Sequence, residues 1–195
     1  MVSKKWRESE LDLQTIEAGG GGDCLFHSVA ACLSKWIGQR VSMQNVRDEL
    51  SLTVTVDCVD SLIASLKEDH KEFLPGGSTD LNSVRLSSNV EHRVQQLRIL
   101  LSRCGPSVQG TDVLLKQMLD HSKFFTQQSV GVVALSEFGP GYTQIFPPKK
   151  GARSHYMVLY CSNNAHWQIG SARMPSGSRK SVIASNELDE IFHCL

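Results

Sequence analysis

The chain has 195 residues, enough for one full hydrophobic core and short for two, so we expect one domain over 1–195. Lys+Arg and Asp+Glu balance at 20 each, which gives no basic excess for nucleic acid or an acidic membrane surface. The polar start does not resemble a secretory signal, and no apolar run approaches the ~20 residues of a membrane span.

The first marked feature is a run of four glycines, GGGG at 19–22, followed by Asp23 and Cys24. Four glycines indicate either a flexible linker or a tight turn that presents bare N–H groups beside the cysteine. The segment LFHSVAACLSKWI then carries a helical stripe of apolar residues, and Gly38 is a plausible stop. Cys24 is therefore predicted at a helix N-terminus, where the helix dipole favours a thiolate.

Four more amphipathic helices are predicted in the first two thirds of the chain, and a loop is predicted over 75–80. The first begins at a Ser42 cap, and the last begins at Thr111 or Asp112. The helices cover roughly 42–50, 59–66, 90–101 and 112–119.

Strands are predicted in the last third. The apolar stretch 130–135 fits a buried strand or helix, and periodicity does not decide between them. A short strand lies within 139–151, and HYMVLYC and HWQIGSA form a hairpin over 155–172 around an SNNA turn. The expected fold class is α+β (mixed α/β), with a helical part packed on a small C-terminal sheet.

The cysteines are predicted to be free thiols in a reducing cytosol, because their spacing is irregular and no CxxC pair is present. No metal site or cofactor is indicated. A cysteine nucleophile needs a histidine base that is distant in sequence. Two of the seven histidines stand at strand starts, His155 and His166, and position alone does not choose between them.

Two motifs give a resemblance. GGGGDCLFHSVAACL resembles the nucleophile segment of the ovarian-tumour (OTU) family of deubiquitinating cysteine proteases, and YMVLYCSNNAHWQIG resembles the family's late strand, loop and H-[WY] strand. The resemblance implies a papain-type fold, Cys24 as nucleophile and His166 as base. His155-Tyr156 also fits the bare H-Y pattern and is the alternative. The resemblance further implies an oxyanion hole from the backbone N–H groups of Gly21 and Cys24. Trp167 is expected to be either a wall of the substrate cleft or a core residue.

Two positions depart from the family pattern. Gly21 stands where the family usually has Asp three residues before the cysteine, so side-chain anchoring of the loop is expected to be lost and the loop mobile until substrate binds. Gln168 stands where the family often has Asn or Asp. The residue that orients His166 is therefore expected to be Gln168 or an asparagine of the SNNA turn, Asn164 or Asn163, unless Cys24 and His166 act as a dyad.

The implied activity is hydrolysis of the isopeptide bond at the C-terminus of ubiquitin or a ubiquitin-like modifier, with no partnership with nucleic acid or membrane. The alternatives are a ubiquitin-binding module with weak or no activity, another cysteine amidase or peptidase, including one that processes its own polyprotein, and a structural domain. Motif drift suggests a viral source, and the compartment would then be the host cytoplasm.

Overall fold

Most of the chain is described by the computed structural model, which covers residues 2–5, 12–68, 84, 87–105, 108–138, 142–149, 155–162 and 166–191. The side chains of 2–5, 66–68 and 189–191 are excepted. The loop predicted over 75–80 and Asn163 and Asn164 of the SNNA turn lie outside these residues.

Seven helices occur within the described residues: α1 (Cys24–Ile37), α2 (Met43–Thr53), α3 (Val56–Glu68), α4 (Val90–Ser102), α5 (Asp112–His121), α6 (Lys123–Thr126) and α7 (Ser185–Ile191). The predicted caps are confirmed at three ends. Gly38 ends α1 in the left-handed conformation, at φ 71°. The Ser42 side chain accepts a hydrogen bond from the Asn45 amide, and Thr111 accepts one from the Leu114 amide.

The strands form one mixed sheet: β1 (Val2–Lys5), β2 (Asp12–Ile16), β3 (Val130–Ser136), β4 (Gln144–Phe146), β5 (His155–Ser162), β6 (His166–Arg173), β7 (Arg179–Lys180) and β8 (Val182–Ala184). The order is β1-β2-β6-β5-β3-β4, with β7 paired to β6 and β8 paired to β5. Among the strands of the described ranges, β3 and β5 are the one pair that runs parallel.

The α+β fold class is confirmed, and the sheet is larger than the sequence predicted. Two N-terminal strands extend it, and β2 pairs antiparallel with β6. The ambiguous stretch at 130–135 is a strand, β3, whose described residues are almost all buried. Its continuous apolar run fits a parallel strand that is covered on both faces.

The core lies on both faces of this sheet. Alternate residues of β3 divide between two clusters, Val132 and Ala134 toward the main helical cluster, Val133 and Leu135 toward the smaller one. Helix α1 belongs to the main cluster and packs on β6, so the start of α1 lies against the start of the strand that carries His166. None of the described helices is long and apolar enough to cross a bilayer.

Candidate active site

The glycine run is a shaped turn. Gly21 has φ +69°, a left-handed conformation that residues with a Cβ rarely adopt. A Cβ on Gly19 would lie 2.3 Å from Cδ2 of His27, so a side chain at this position requires the His27 ring to move. The backbone of Gly21 and the close contact at Gly19 both favour glycine, and the turn leads directly into helix α1. Of the two interpretations that the sequence allowed, this favours the tight turn over the flexible linker.

Cys24 is the first residue of α1 and is 4% exposed. Its Sγ accepts a hydrogen bond from the backbone N–H of Trp167 at 3.4 Å. Asp23 is the N-cap residue, but its side chain makes no capping hydrogen bond. The amide donor and the start of the helix both stabilise negative charge at the sulfur.

A second contact fixes α1 on the sheet. The Ser28 hydroxyl, one helical turn after Cys24, donates to the carbonyl of Trp167 at 3.3 Å. Cys24 and Ser28 therefore hold the N–H and the C=O of the same residue. This arrangement sets the position of the residue before it, His166, relative to the cysteine.

The loop is anchored by a buried ion pair that was not predicted from the sequence. Asp23 Oδ1 lies 2.6 Å from Arg47 Nη1, and Asp23 Oδ2 accepts a hydrogen bond from the Gly105 amide at 2.7 Å. Arg47 is fully buried in α2, donates to the Leu101 carbonyl at 2.9 Å and lies 4.4 Å from the centre of the Phe26 ring. The anchoring expected to be lost with Gly21 is supplied two residues later by Asp23.

His166 faces a carboxylate that sequence reasoning missed. Its Nε2 lies 3.0 Å from both carboxylate oxygens of Glu17, which directly follows β2. The Gln168 side chain donates to the same carboxylate, so Gln168 contacts Glu17. The hydrogen bond from His166, and after it that from Gln168, holds the pKa of Glu17 below its ordinary value of 4.5. Because Nε2 is occupied by Glu17, the nitrogen left for a thiol is Nδ1.

His155 lies at the other end of its strand. Cys161, which is opposite Trp167, lies six positions after His155 along β5, and this separation spans roughly 20 Å. The His155 ring packs against Trp36 with centroids 4.3 Å apart. Its placement indicates a packing role away from Cys24.

Trp167 is packed like a core residue and also lines a cavity. It is 5% exposed, and its indole N–H donates to the Gly110 carbonyl at 2.9 Å, as in a packed core residue. It also lines a cavity of about 300 Å³ together with Cys161 and Thr111. The cavity therefore opens beside the residue whose amide contacts Cys24.

Three other cysteines are poor candidates for a nucleophile, because desolvation by the surrounding protein favours their neutral thiols. This desolvation raises the pKa of Cys32 to about 12, that of Cys58 to about 11 and that of Cys161 to about 12. At neutral pH these three are neutral thiols. The five cysteines within the described part of the chain are free thiols. In the same part, no group of three or more His, Cys, Asp or Glu side chains is placed to hold a metal ion.

No protein-family model matches the sequence, and no curated protein matches it. Solved structures do. An OTU domain in complex with ubiquitin is 13% identical, with a TM-score of 0.50 over 91% of this chain and 77% of that one. An OTU deubiquitinase from Wolbachia pipientis is 13% identical, with a TM-score of 0.48 over 91% of this chain and 95% of that one. The viral OTU domain protease from Farallon virus is 13% identical, with a TM-score of 0.44 over 88% and 89%.

At this identity the likeness concerns the fold. The chain has an OTU-like α+β fold, as the two sequence motifs implied. The roles of Cys24 and His166 stay predictions.

Proposed function

We propose that the chain is a cysteine-type deubiquitinase that hydrolyses the isopeptide bond at the C-terminus of ubiquitin or a ubiquitin-like modifier. One observation carries the proposal: the amide of Trp167 contacts the Cys24 sulfur, so the strand of His166 starts beside the thiol at a helix N-terminus. The OTU-like fold supports it, because one domain with this fold is solved in complex with ubiquitin.

In the proposed mechanism, the Cys24 thiolate attacks the carbonyl carbon of the modifier's terminal glycine. The N–H groups of Gly21 and Cys24 stabilise the oxyanion of the tetrahedral intermediate. His166, as the imidazolium, donates its proton to the leaving lysine amine, and a thioester to Cys24 remains. The neutral imidazole then accepts a proton from water, which attacks the thioester, and the modifier leaves with a free carboxylate.

Glu17 is proposed as the positioning residue for His166. Its carboxylate holds Nε2, which leaves Nδ1 for the thiol, and a carboxylate in this position stabilises an imidazolium. The Glu17→Gln variant keeps the shape and loses the charge. Because the Glu17 side chain is 61% exposed, we expect a loss of about tenfold in kcat/KM, far less than for a buried triad carboxylate.

The contact between Glu17 and His166 can also be tested through the pH dependence of stability. The pKa of Glu17 is lowered in the folded state, so its stabilising contribution is complete above about pH 4.5 and is lost as the pH falls through the lowered value. The difference in melting temperature between wild type and Glu17→Gln should therefore shrink below pH 4.5. A difference that stays constant from pH 7 to pH 3 contradicts the ion pair.

The direct test uses a ubiquitin probe with a C-terminal electrophile. Wild type, Cys24→Ala, His166→Ala and His155→Ala are compared, with circular dichroism to confirm folding. We expect labelling of wild type and His155→Ala and none of Cys24→Ala or His166→Ala. Loss of labelling in His155→Ala with retention in His166→Ala would identify His155, at the start of β5, as the base. A folded wild type that is not labelled refutes the proposed enzymatic activity.

A ubiquitin-binding module with little activity is the second candidate, and the burial of Cys24 favours it, because a nucleophile that is 4% exposed is poorly accessible. If the wild type binds ubiquitin but is not labelled by the electrophilic probe, the binding module is the correct candidate. Under either proposal we place the chain in the cytoplasm, which the absence of disulfides among the described cysteines supports. We also propose that residues 1–195 form a single domain.

A further inference from the structure

The glycine segment before α1 contains a hydrogen-bonded reverse turn. The Asp23 amide donates to the Gly20 carbonyl at 3.3 Å, which closes a turn over 20–23. Its two central residues, Gly21 and Gly22, have φ of 69° and 92°. Positive φ at both central positions is characteristic of a type I′ turn, which glycine adopts without strain. The turn therefore has a defined local shape, and its position relative to α1 depends on contacts with the rest of the fold.

The turn is held from both of its ends. After the turn, Asp23 is bound to Arg47 and to the Gly105 amide. Before the turn, the imidazole of His27 lies against Gly19. A Cβ on Gly19 would lie 2.3 Å from Cδ2 of this ring, 2.6 Å from Cγ and 2.9 Å from Nε2. Gly19 has no positive φ, so the nearest obstacle to a side chain there is the ring, which fills the space that the side chain would take.

Helix geometry explains why His27 reaches back to this segment. His27 is the fourth residue of α1, and its amide donates to the Asp23 carbonyl at 2.9 Å. Side chains of an α-helix point toward the N-terminus of the helix, so a residue of its first turn covers the chain that leads into it. The half-buried His27 ring therefore packs on Gly19 from the helix side.

Gly19 lies between two groups that the proposed mechanism uses. Glu17, whose carboxylate contacts His166, is two residues before it. Gly21, the proposed oxyanion donor, is two residues after it. Residues 17–19 belong to no helix or strand, so tertiary contacts must fix their position. One contact at Gly19 can therefore constrain both groups at once.

We propose that His27 is a positioning residue, whose ring packs on Gly19 and holds the segment 17–21 against the start of α1. The inference rests on the proposed function. In this role the imidazole acts through its shape and transfers no proton, so a flat ring without nitrogen atoms can replace it. A displacement of about 1 Å in a catalytic group can cost about 100-fold in rate, so a small shift of the segment is measurable.

The test is a double-mutant cycle of Gly19→Ala and His27→Ala, assayed with ubiquitin joined at its C-terminus to a fluorogenic amine. The methyl group of Gly19→Ala displaces either the ring or the turn, and both outcomes break the contact. We expect each single variant to lose about tenfold in kcat with KM changed by less than about twofold. Once His27→Ala has removed the contact, adding Gly19→Ala should cost less than about twofold in kcat.

Two further variants separate the contact from other effects. Gly20→Ala is the matched control, because a Cβ there meets open space and the residue has no positive φ, so wild-type kinetics are expected. His27→Phe supplies another flat ring and should keep at least about a third of the wild-type kcat, well above His27→Ala. Melting temperatures are measured for every variant, and rates are compared below the lowest of them.

Other results overturn the inference in distinguishable ways. An active wild type whose single variants lose less than about twofold in kcat refutes it and leaves the deubiquitinase proposal standing. Losses that multiply in the double variant exclude the contact as their cause. Coupling in the melting temperature alone shows a structural role without positioning. A His27→Phe variant as slow as His27→Ala shows that the ring nitrogen atoms are needed. A wild type inert on the ubiquitin substrate refutes the proposed function, and this inference with it.

Discussion

The buried pair of Arg47 and Asp23 should dominate the stability of the glycine turn before Cys24. Arg47→Met removes the 2.6 Å ion pair and the hydrogen bond to the Leu101 carbonyl, and leaves Asp23 buried with the Gly105 amide. Breaking a fully buried ion pair from one side costs about 3–5 kcal/mol in the free energy of unfolding. That is a large part of the ~5–15 kcal/mol that a domain has in total.

Urea denaturation measures this loss. With a denaturant slope of about 2 kcal/mol per M, a loss of about 4 kcal/mol moves the midpoint down by about 2 M. Arg93→Met is the matched control, because its partner Asp60 is 56% exposed and such a pair contributes less than about 1 kcal/mol. Arg47→Lys keeps a charge without the guanidinium fork and should fall between wild type and Arg47→Met. A loss below about 1 kcal/mol in Arg47→Met, or equal losses in the two Met variants, refutes the reasoning.

Three further predictions concern single positions. Gly21→Ala should destabilise by about 1–2 kcal/mol through its positive φ and slow labelling by the ubiquitin probe, whereas Gly20→Ala, whose Cβ meets open space, should behave as wild type in both assays. His155→Ala should cost about 1 kcal/mol in thermal unfolding through its lost packing on Trp36 and leave probe labelling unchanged. Iodoacetamide at pH 7.5, followed by peptide mass mapping, should modify Cys24 before the three cysteines with raised pKa, which are Cys32, Cys58 and Cys161. At that pH, each of these three is a thiolate in about one molecule in three thousand or fewer. Activity of Gly21→Ala equal to that of Gly20→Ala, loss of labelling in His155→Ala, or early modification of a cysteine from this set contradicts the respective prediction.

Local pattern was sufficient for five of the seven helices within the described residues, α1 to α5, and it did not predict the short α6 or α7. The apolar stripe after Cys24 and the stop at Gly38 predict α1 correctly. A helix buries one face, and it commonly ends at a glycine because glycine adopts the left-handed conformation with little strain. The local sequence could not decide whether the stretch 130–135 is a strand or a helix. It becomes strand through parallel pairing with β5, which lies about 25 residues later in the chain.

The supporting residues of the site depend on contacts between distant parts of the sequence. Glu17 reaches His166 only because β2 pairs with β6, and the short segment DLQTI gives a weak strand signal. Arg47 would ordinarily be assigned to the surface, since a buried arginine requires a partner that the sequence does not reveal. The OTU motifs implied the placement of Cys24 and His166 and gave no indication of Glu17 or Arg47.

The pairing of β2 with β6 also determines when the site is completed during folding. The bridge from Ile16 to Ile169 closes a loop of more than 150 residues, and the length-dependent part of its entropy cost is about 4–5 kcal/mol. Contacts of such long sequence separation form slowly, and during synthesis they must wait for the last strands to emerge. A nascent chain thus carries Cys24, the glycine turn and Glu17 early but still lacks His166. Under the proposed function, proteolytic activity begins only when nearly the whole described chain has been made and paired.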